Sequence, residues 1–129
     1  MKKLLSMLAV AAVALTTSAI GGEYPDISIN ELKSAIEKGE VTVIDVNGSK
    51  SYAKGHIPSA VDFRATKDLA SVLPEDKDAL IVAYCGGPSC SAYKAAATKA
   101  EALGYTNVKH LSAGISGWLQ AGEKTEKKG

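Results

Sequence analysis

Two cysteines stand five residues apart in the segment Cys85-Gly86-Gly87-Pro88-Ser89-Cys90-Ser91, directly after the apolar run Ala79 to Tyr84. A thiol at the end of a buried strand, followed by two glycines that let the backbone curl, gathers several backbone N–H groups around one sulfur. Such a nest, continued by a helix N-terminus, holds anions. It lowers the pKa of a cysteine inside it and stabilises a terminal persulfide anion as well as a thiolate. Cys85 is therefore the candidate nucleophile, with Gly86, Gly87, Pro88, Ser89 and Ser91 as the candidate anion cradle. Cys90 has three readings. It is a resolving thiol that attacks a persulfide on Cys85, one half of a dithiol redox centre that needs no sulfur donor, or one half of a permanent structural bridge. A bridge over so short a loop removes little entropy from the unfolded chain, so the position favours chemistry over stapling.

The other conspicuous side chains have plainer readings. His56, in a Gly-His-Ile turn, is expected to serve structure by hydrogen bonding. His110 lies inside a short strand with no ligand-spaced partner, so the two histidines and two cysteines make no zinc site. Asp45 ends a buried strand near the same sheet edge, where it either orients the loop or satisfies backbone groups. Trp118 reads as a packing lid. Neither metal, nucleotide nor flavin is expected.

The elements that must position Cys85 follow from spacing. Ser28 followed by Glu31 is a capping box; Leu32, Ala35 and Ile36 share one face, and Gly39 is a stop, so a first helix is expected from about Ile29 to Lys38. Val41 to Val46 is a β-branched run suited to a strand covered on both faces. Ser51 to Lys54 predicts one helical turn, Ala60 to Phe63 a short strand, and Leu69 to Leu73 another helical stretch stopped by Pro74. Ala79 to Tyr84 is the clearest strand. An Ala-rich helix is expected from about Ser89 to Leu103, then a strand at Val108 to Leu111, a short helix at Ile115 to Gln120, and a solvated charged tail at Glu123 to Gly129. Strands alternating with helices over connections too long for hairpins predict a small three-layer α/β domain, its sheet mostly parallel with helices on both faces.

Composition bounds the partners. The chain of 129 residues, 46% apolar and 22% charged, is that of one globular domain and excludes disorder, collagen-like repeats and a polytopic membrane protein. With one Phe, one Trp, five Tyr and a net charge of +1, it offers neither stacked rings nor a basic patch for nucleic acid. Lys2 and Lys3 precede an apolar run from Leu4 to Leu15, and small polar residues lead to Ala19, the pattern of a secretory signal peptide. The run falls short of the roughly 20 residues that span a bilayer, so no stable membrane anchor is expected. Residues 1–19 are thus read as a leader cleaved near Ala19, and 20–129 as a single domain with a core at about 26–122. Without the leader, 13 basic and 14 acidic side chains remain on 110 residues. The expected location is periplasmic or secreted, where disulfides persist.

Beyond these separate signals, Asp45-Val46, Tyr52, Gly55-His56-Ile57-Pro58-Ser59-Ala60, the strand ending in Cys85, Gly104-Tyr105-Thr106-Asn107-Val108 and Gly114-Ile115-Ser116-Gly117-Trp118 resemble, in order and spacing, the rhodanese domain. The resemblance covers essentially the whole mature chain and is nearest to exported single-domain rhodaneses of bacteria. It implies a thiosulfate sulfurtransferase: the loop cysteine, here Cys85, takes the outer sulfur of thiosulfate or a similar anion. It carries that sulfur as a persulfide and passes it to a thiol or cyanide. A periplasmic thiol reductant is a further expected partner.

Departures from the family pattern fall inside the loop. Many single-domain rhodaneses have Arg at the sixth loop position, where this chain has Cys90. Phosphatase and arsenate-reductase relatives carry an Arg one residue later, where this chain has Ser91. Lacking both cations, the loop is poorly equipped for transfer to phosphorus. For a sulfur-containing anion, Lys94, about one helical turn beyond Cys90, and Arg64, the only arginine, are the candidate replacements. Asn47 and Ser51 stand where the family shows Arg and Glu, a double exchange that leaves neither charge unpaired. A catalytically inactive binding module of the same fold is the remaining alternative.

Overall fold

The computed structural model describes residues 24–128. The proposed leader, residues 1–19, lies outside them. Ser28 opens α1 (Ile29–Lys38) with the reciprocal cap expected from the spacing: its hydroxyl accepts the Glu31 N–H at 3.0 Å, and the Glu31 carboxylate accepts the Ser28 N–H at 3.1 Å. Gly39, at φ 69, closes the helix in the left-handed region. There follow β1 (Val41–Asp45), α2 (Ser49–Lys54), β2 (Val61–Asp62), a 3-10 turn at Leu69–Val72, β3 (Leu80–Tyr84), α3 (Tyr93–Ala102), β4 (Val108–His110) and α4 (Gly114–Gln120).

Among the described residues, four strands form one parallel sheet in the order β2-β1-β3-β4. Alternation along the strands divides the core. Ile44, Ile81 and Ala83 pack with Ala96, Ala97 and Ala100 of α3 on one face. Val43, Val82 and Tyr84 pack with Leu32 of α1 and Trp118 of α4 on the other. This is the three-layer α/β arrangement that the sequence predicts. Cys85 continues the alternation onto the α3 face. The outer edge of β4 is covered by the chain before α1, since the His110 N–H donates to Pro25 and the Ile27 N–H to His110.

Two expectations change. The long helix begins at Tyr93 rather than near Ser89. The Cys90 N–H donates to the Gly87 carbonyl at 3.1 Å and closes a turn, and a bond between the two cysteines keeps Cys90 back against Cys85. A helical course from Ser89 would carry Cys90 away from both. The charged tail, in turn, is tied down through its backbone. His56 and Glu126 exchange N–H···O bonds of 2.9 Å, and Trp118 Nε1 donates to the Lys124 carbonyl at 2.7 Å. The Lys128 N–H reaches Ala53 at 3.1 Å. Its side chains remain largely solvent-facing; the backbone groups find the partners, and composition carries no trace of that.

Candidate functional site

Cys85, 1% exposed, sits at the C-terminal end of β3, the edge of a parallel sheet where ligands bind. It is joined by a disulfide to Cys90, with the two Cα atoms 6.3 Å apart. Cys90 is partly exposed, and Pro88, Ser89, Ser91 and Ala92 around it are exposed. Both sulfurs belong to the apolar cluster beneath α3.

The carbonyls of Cys85, Gly86, Gly87 and Ser91 are engaged, while most of the loop's amides have no acceptor among the described residues. The Ile115 N–H donates to Cys85 at 2.9 Å, the Ser116 N–H to Gly86 at 3.0 Å, and the Cys90 N–H to Gly87. Among the described residues, the N–H groups of Gly86, Gly87, Ser89 and Ser91 have no acceptor. Free donors along the loop leave these N–H groups available to an anion. The first turn of α4 sets its shape. Gly114, at φ 64, lies so close to the loop that a Cβ there would stand 2.5 Å from Gly86 C and O and 2.6 Å from Gly87 N. Its place in the Gly114-Ile115-Ser116-Gly117-Trp118 motif is visible in the sequence, but its contact across the sheet edge is not.

Asp45 is buried on the face opposite Cys85, and burial holds its carboxyl above the usual range against opposing hydrogen bonds from Tyr84 and Asn47. Its Oδ1 accepts the Asn47 N–H at 2.7 Å. Tyr84 is a residue the sequence reading passes over, although a buried tyrosine hydroxyl calls for a partner. Its Oη accepts the Ile57 N–H at 3.0 Å, which ties the Gly-His-Ile turn to β3, and burial pushes its own pKa far up. Asp45 thus orients Asn47, and Asn47 Oδ1 lies 4.0 Å from the place a Gly86 Cβ would take. Asn47 Nδ2 is buried and has no partner among the described residues. Asn47 thus brings to this place a buried amide with no partner among the described residues.

A cleft of about 340 Å³ opens beside this residue, lined by Val46, Asn47, Gly48, Phe63, Arg64, Ala92 and Ala95. Val46 and Phe63 pack on the same cluster as the two cysteines. Of the two candidate cations, Arg64 lines this cleft and Lys94 does not. Arg64 is held at its backbone, where its N–H donates to Asp62 Oδ1 at 3.0 Å; Asp62 Oδ2 accepts the Ser49 hydroxyl at 2.6 Å.

The histidines are packed groups. His56 Nδ1 donates to the Tyr52 carbonyl at 2.7 Å, and its ring stacks on Tyr52 at 3.7 Å. His110 stacks on Tyr93 at 3.4 Å, its Nε2 buried without a partner among the described residues. Burial lowers its pKa, and Lys94 adds to the shift. Trp118 is 2% exposed and covers the α1 side of the sheet.

Residues 28–121 match the family described as Rhodanese-like domain. The chain is 37% identical over 116 residues to an HTH-type transcriptional regulator of Mycobacterium tuberculosis, a match taking in 88% of this chain and 50% of the regulator. It therefore spans about half the length of that curated relative. Among solved structures it is similar to a Bacillus halodurans protein, with a TM-score of 0.69 and 31% identity over 81% of this chain and 77% of that one. It is also similar to a thiosulfate sulfurtransferase of Pseudomonas aeruginosa, with a TM-score of 0.67 and 28% identity over 81% of this chain and 20% of that one.

Proposed function

The chain belongs to the rhodanese-like domain family, and from that premise we propose that it is a sulfurtransferase carrying sulfane sulfur as a persulfide on Cys85. The observation that carries the reading is the loop itself: a buried sulfur at a strand end, followed by amides on Gly86, Gly87, Ser89 and Ser91 that have no acceptor among the described residues. Reduced Cys85 attacks the outer sulfur of thiosulfate or a similar donor. The donor's S–S bond breaks, sulfite leaves with the electron pair, and the persulfide anion is held by those amides. A thiolate or cyanide then attacks the outer sulfur and returns Cys85 as thiolate. Arg64, lining the cleft beside Asn47, supplies the cation that the loop lacks and draws in the anionic donor.

Cys90 closes a side path. Its thiolate attacks Sγ of Cys85 in the persulfide, the outer sulfur leaves as hydrosulfide, and the Cys85–Cys90 bond of this structure forms. The two cysteines are oxidised and the outer sulfur is reduced. On this reading the bridged chain is the spent state and needs a thiol reductant before it accepts sulfur again. An exported location, after cleavage near Ala19, suits such a bridge. The bridge also favours a second reading, in which the pair exchanges electrons with other thiols and never takes up a sulfur donor.

Intact mass separates the two. The chain is reduced, freed of reductant and exposed to thiosulfate, with Cys85→Ala as control. A gain of one sulfur atom, or a loss of two hydrogens accompanied by released sulfide where Cys90 has resolved the persulfide, is expected, and the control shows neither; Cys90→Ala, which cannot resolve, should keep the added sulfur. If Cys90→Ala gains no sulfur and thiosulfate releases no sulfide from the reduced wild type, the sulfurtransferase reading falls and thiol–disulfide exchange takes its place.

A further inference from the structure

We infer that the Cys85–Cys90 bridge is opened from one side only: a dithiol reductant attacks Sγ of Cys90, and Cys85 departs as a thiolate into the amide nest. The significance of this direction rests on the reading of Cys85 as the sulfur-carrying residue. Three observations carry the direction itself.

Access is unequal. Cys85 is 1% exposed and packed under α3, whereas Cys90 is partly exposed between exposed residues on either side. A reductant reaches Cys85 only by displacing the loop. That loop is fastened by the Ile115 and Ser116 amides to the Cys85 and Gly86 carbonyls, and Gly114 lies against its Gly86–Gly87 peptide. The leaving groups are unequal too. Exchange runs faster when the expelled sulfur is the better-stabilised thiolate. The amides of Gly86, Gly87, Ser89 and Ser91 follow Cys85 along the loop with no acceptor among the described residues and are open to a thiolate there, while the amide of Cys90 is spent on Gly87. Finally, the surroundings of Cys90 suit a docking thiol. Pro88, Ser89, Ser91 and Ala92 are small, exposed and uncharged, so a partner approaches by shape and backbone contact with no ion pair to satisfy.

The electrons balance with the dithiol alone. Its first thiolate bonds to Cys90 Sγ as the Cys85–Cys90 bond breaks, giving a mixed disulfide and a Cys85 thiolate. Its second thiolate attacks its own mixed-disulfide sulfur and releases Cys90 as thiolate. The reductant loses two electrons and becomes a disulfide, and the bridge gains them. The order matters for function. Cys85 is free, charged and able to attack a sulfur donor while Cys90 is still occupied by the partner and unable to resolve a persulfide.

Glutathione is the probe. The bridged full chain is mixed with glutathione for short intervals and quenched with excess N-ethylmaleimide. Tryptic peptide 78–94, which holds both cysteines, is then fragmented. The expected product carries glutathione on Cys90 and maleimide on Cys85, with the reverse isomer lost in the background at the earliest times. Glutathione on Cys85, equal amounts of the two isomers, or a bridge that glutathione does not open at all would overturn the inference. Thiosulfate loading of the reduced chain is measured in parallel. Opening at Cys90 with neither sulfur gain nor thiosulfate-driven release of sulfide would keep the direction and remove the sulfurtransferase reading, so the two failures are told apart.

Discussion

Tyr84 Oη donates a 2.6 Å hydrogen bond to Oδ2 of Asp45 on the face of the sheet opposite the Cys85–Cys90 bridge. Both side chains are buried, and each holds a backbone amide as well: Asp45 that of Asn47, Tyr84 that of Ile57. Adjacent strands and two loops are thereby locked together next to the Cys85–Cys90 loop. The arrangement satisfies the carboxylate but keeps it out of water, and water is what a carboxylate charge prefers.

A pH dependence follows from Asp45. Its folded pKa is raised above the ordinary 3.8, chiefly by burial. A raised pKa contributes stability that is fully present below the unfolded value and lost as pH rises through the folded value. Asp45→Asn removes that titration. We expect urea unfolding to show the wild type gaining on the variant as pH is lowered from neutrality towards 4, beginning at the folded pKa of Asp45. Parallel stability curves over that range would sink the assignment.

Gly114 gives a prediction for the loop. A Cβ there would meet the Gly86–Gly87 peptide, which is backbone and cannot swing aside, and φ 64 adds conformational strain. Gly114→Ala is expected to cost about 1–3 kcal/mol in urea unfolding and to reduce sulfur loading, because the nest must shift. Gly122→Ala is the control. Its φ is also positive, at 79, but nothing lies within 4 Å of a Cβ, so only the backbone cost of about 1 kcal/mol is expected. Full sulfur loading by the Gly114 variant would mean that α4 does not set the loop.

Local signals carried much of the fold into the sequence. The capping pair of Ser28 and Glu31 and the glycine stop at Gly39 fix α1 at the expected residues because every interaction involved lies within one or two turns. The apolar run before Cys85 and the alternation of elements were sufficient for a parallel sheet, and motif order pointed to the family. What was illegible depends on distance along the chain. Tyr84 and Asp45 are 39 residues apart, and the tail pairs with His56 over a greater separation. Lys94 is the nearer candidate cation in sequence, yet folding brings Arg64 to the wall of the cleft that Ala92 and Ala95 also line. Spacing left the Cys85–Cys90 pair open among its three roles, and α3 starts three residues beyond Cys90.

That choice between cations is measurable. Arg64 is exposed, so its contribution to holding an anion sits at the low end for a charged hydrogen bond. Arg64→Ala is expected to raise KM for thiosulfate roughly tenfold, with kcat little changed and stability within about 0.5 kcal/mol. Lys94→Ala should leave KM near the wild-type value. A raised KM in the Lys94 variant with a silent Arg64 variant would reassign the donor's cation.

His110 titrates in the sense opposite to Asp45. Burial holds its imidazole below the ordinary 6.5, with Lys94 adding to the shift and Asp26 opposing it. A lowered pKa contributes stability that is present above the unfolded value and lost as pH falls through the folded one. His110→Phe keeps an aromatic ring to stack on Tyr93 and removes the ionising nitrogens, including the Nε2 that has no partner among the described residues. The variant should therefore gain on the wild type as pH falls below about 6.5. Urea unfolding at a series of pH values between 7 and 5 checks this, and an unchanged difference across the series would remove His110 as a source of acid sensitivity. Lys94→Ala supplies the second arm, because loss of that charge should move the His110 titration upward in a proton NMR experiment. Since Asp45 loses its contribution as pH rises and His110 as pH falls, the double variant should show a flatter stability profile than either single one.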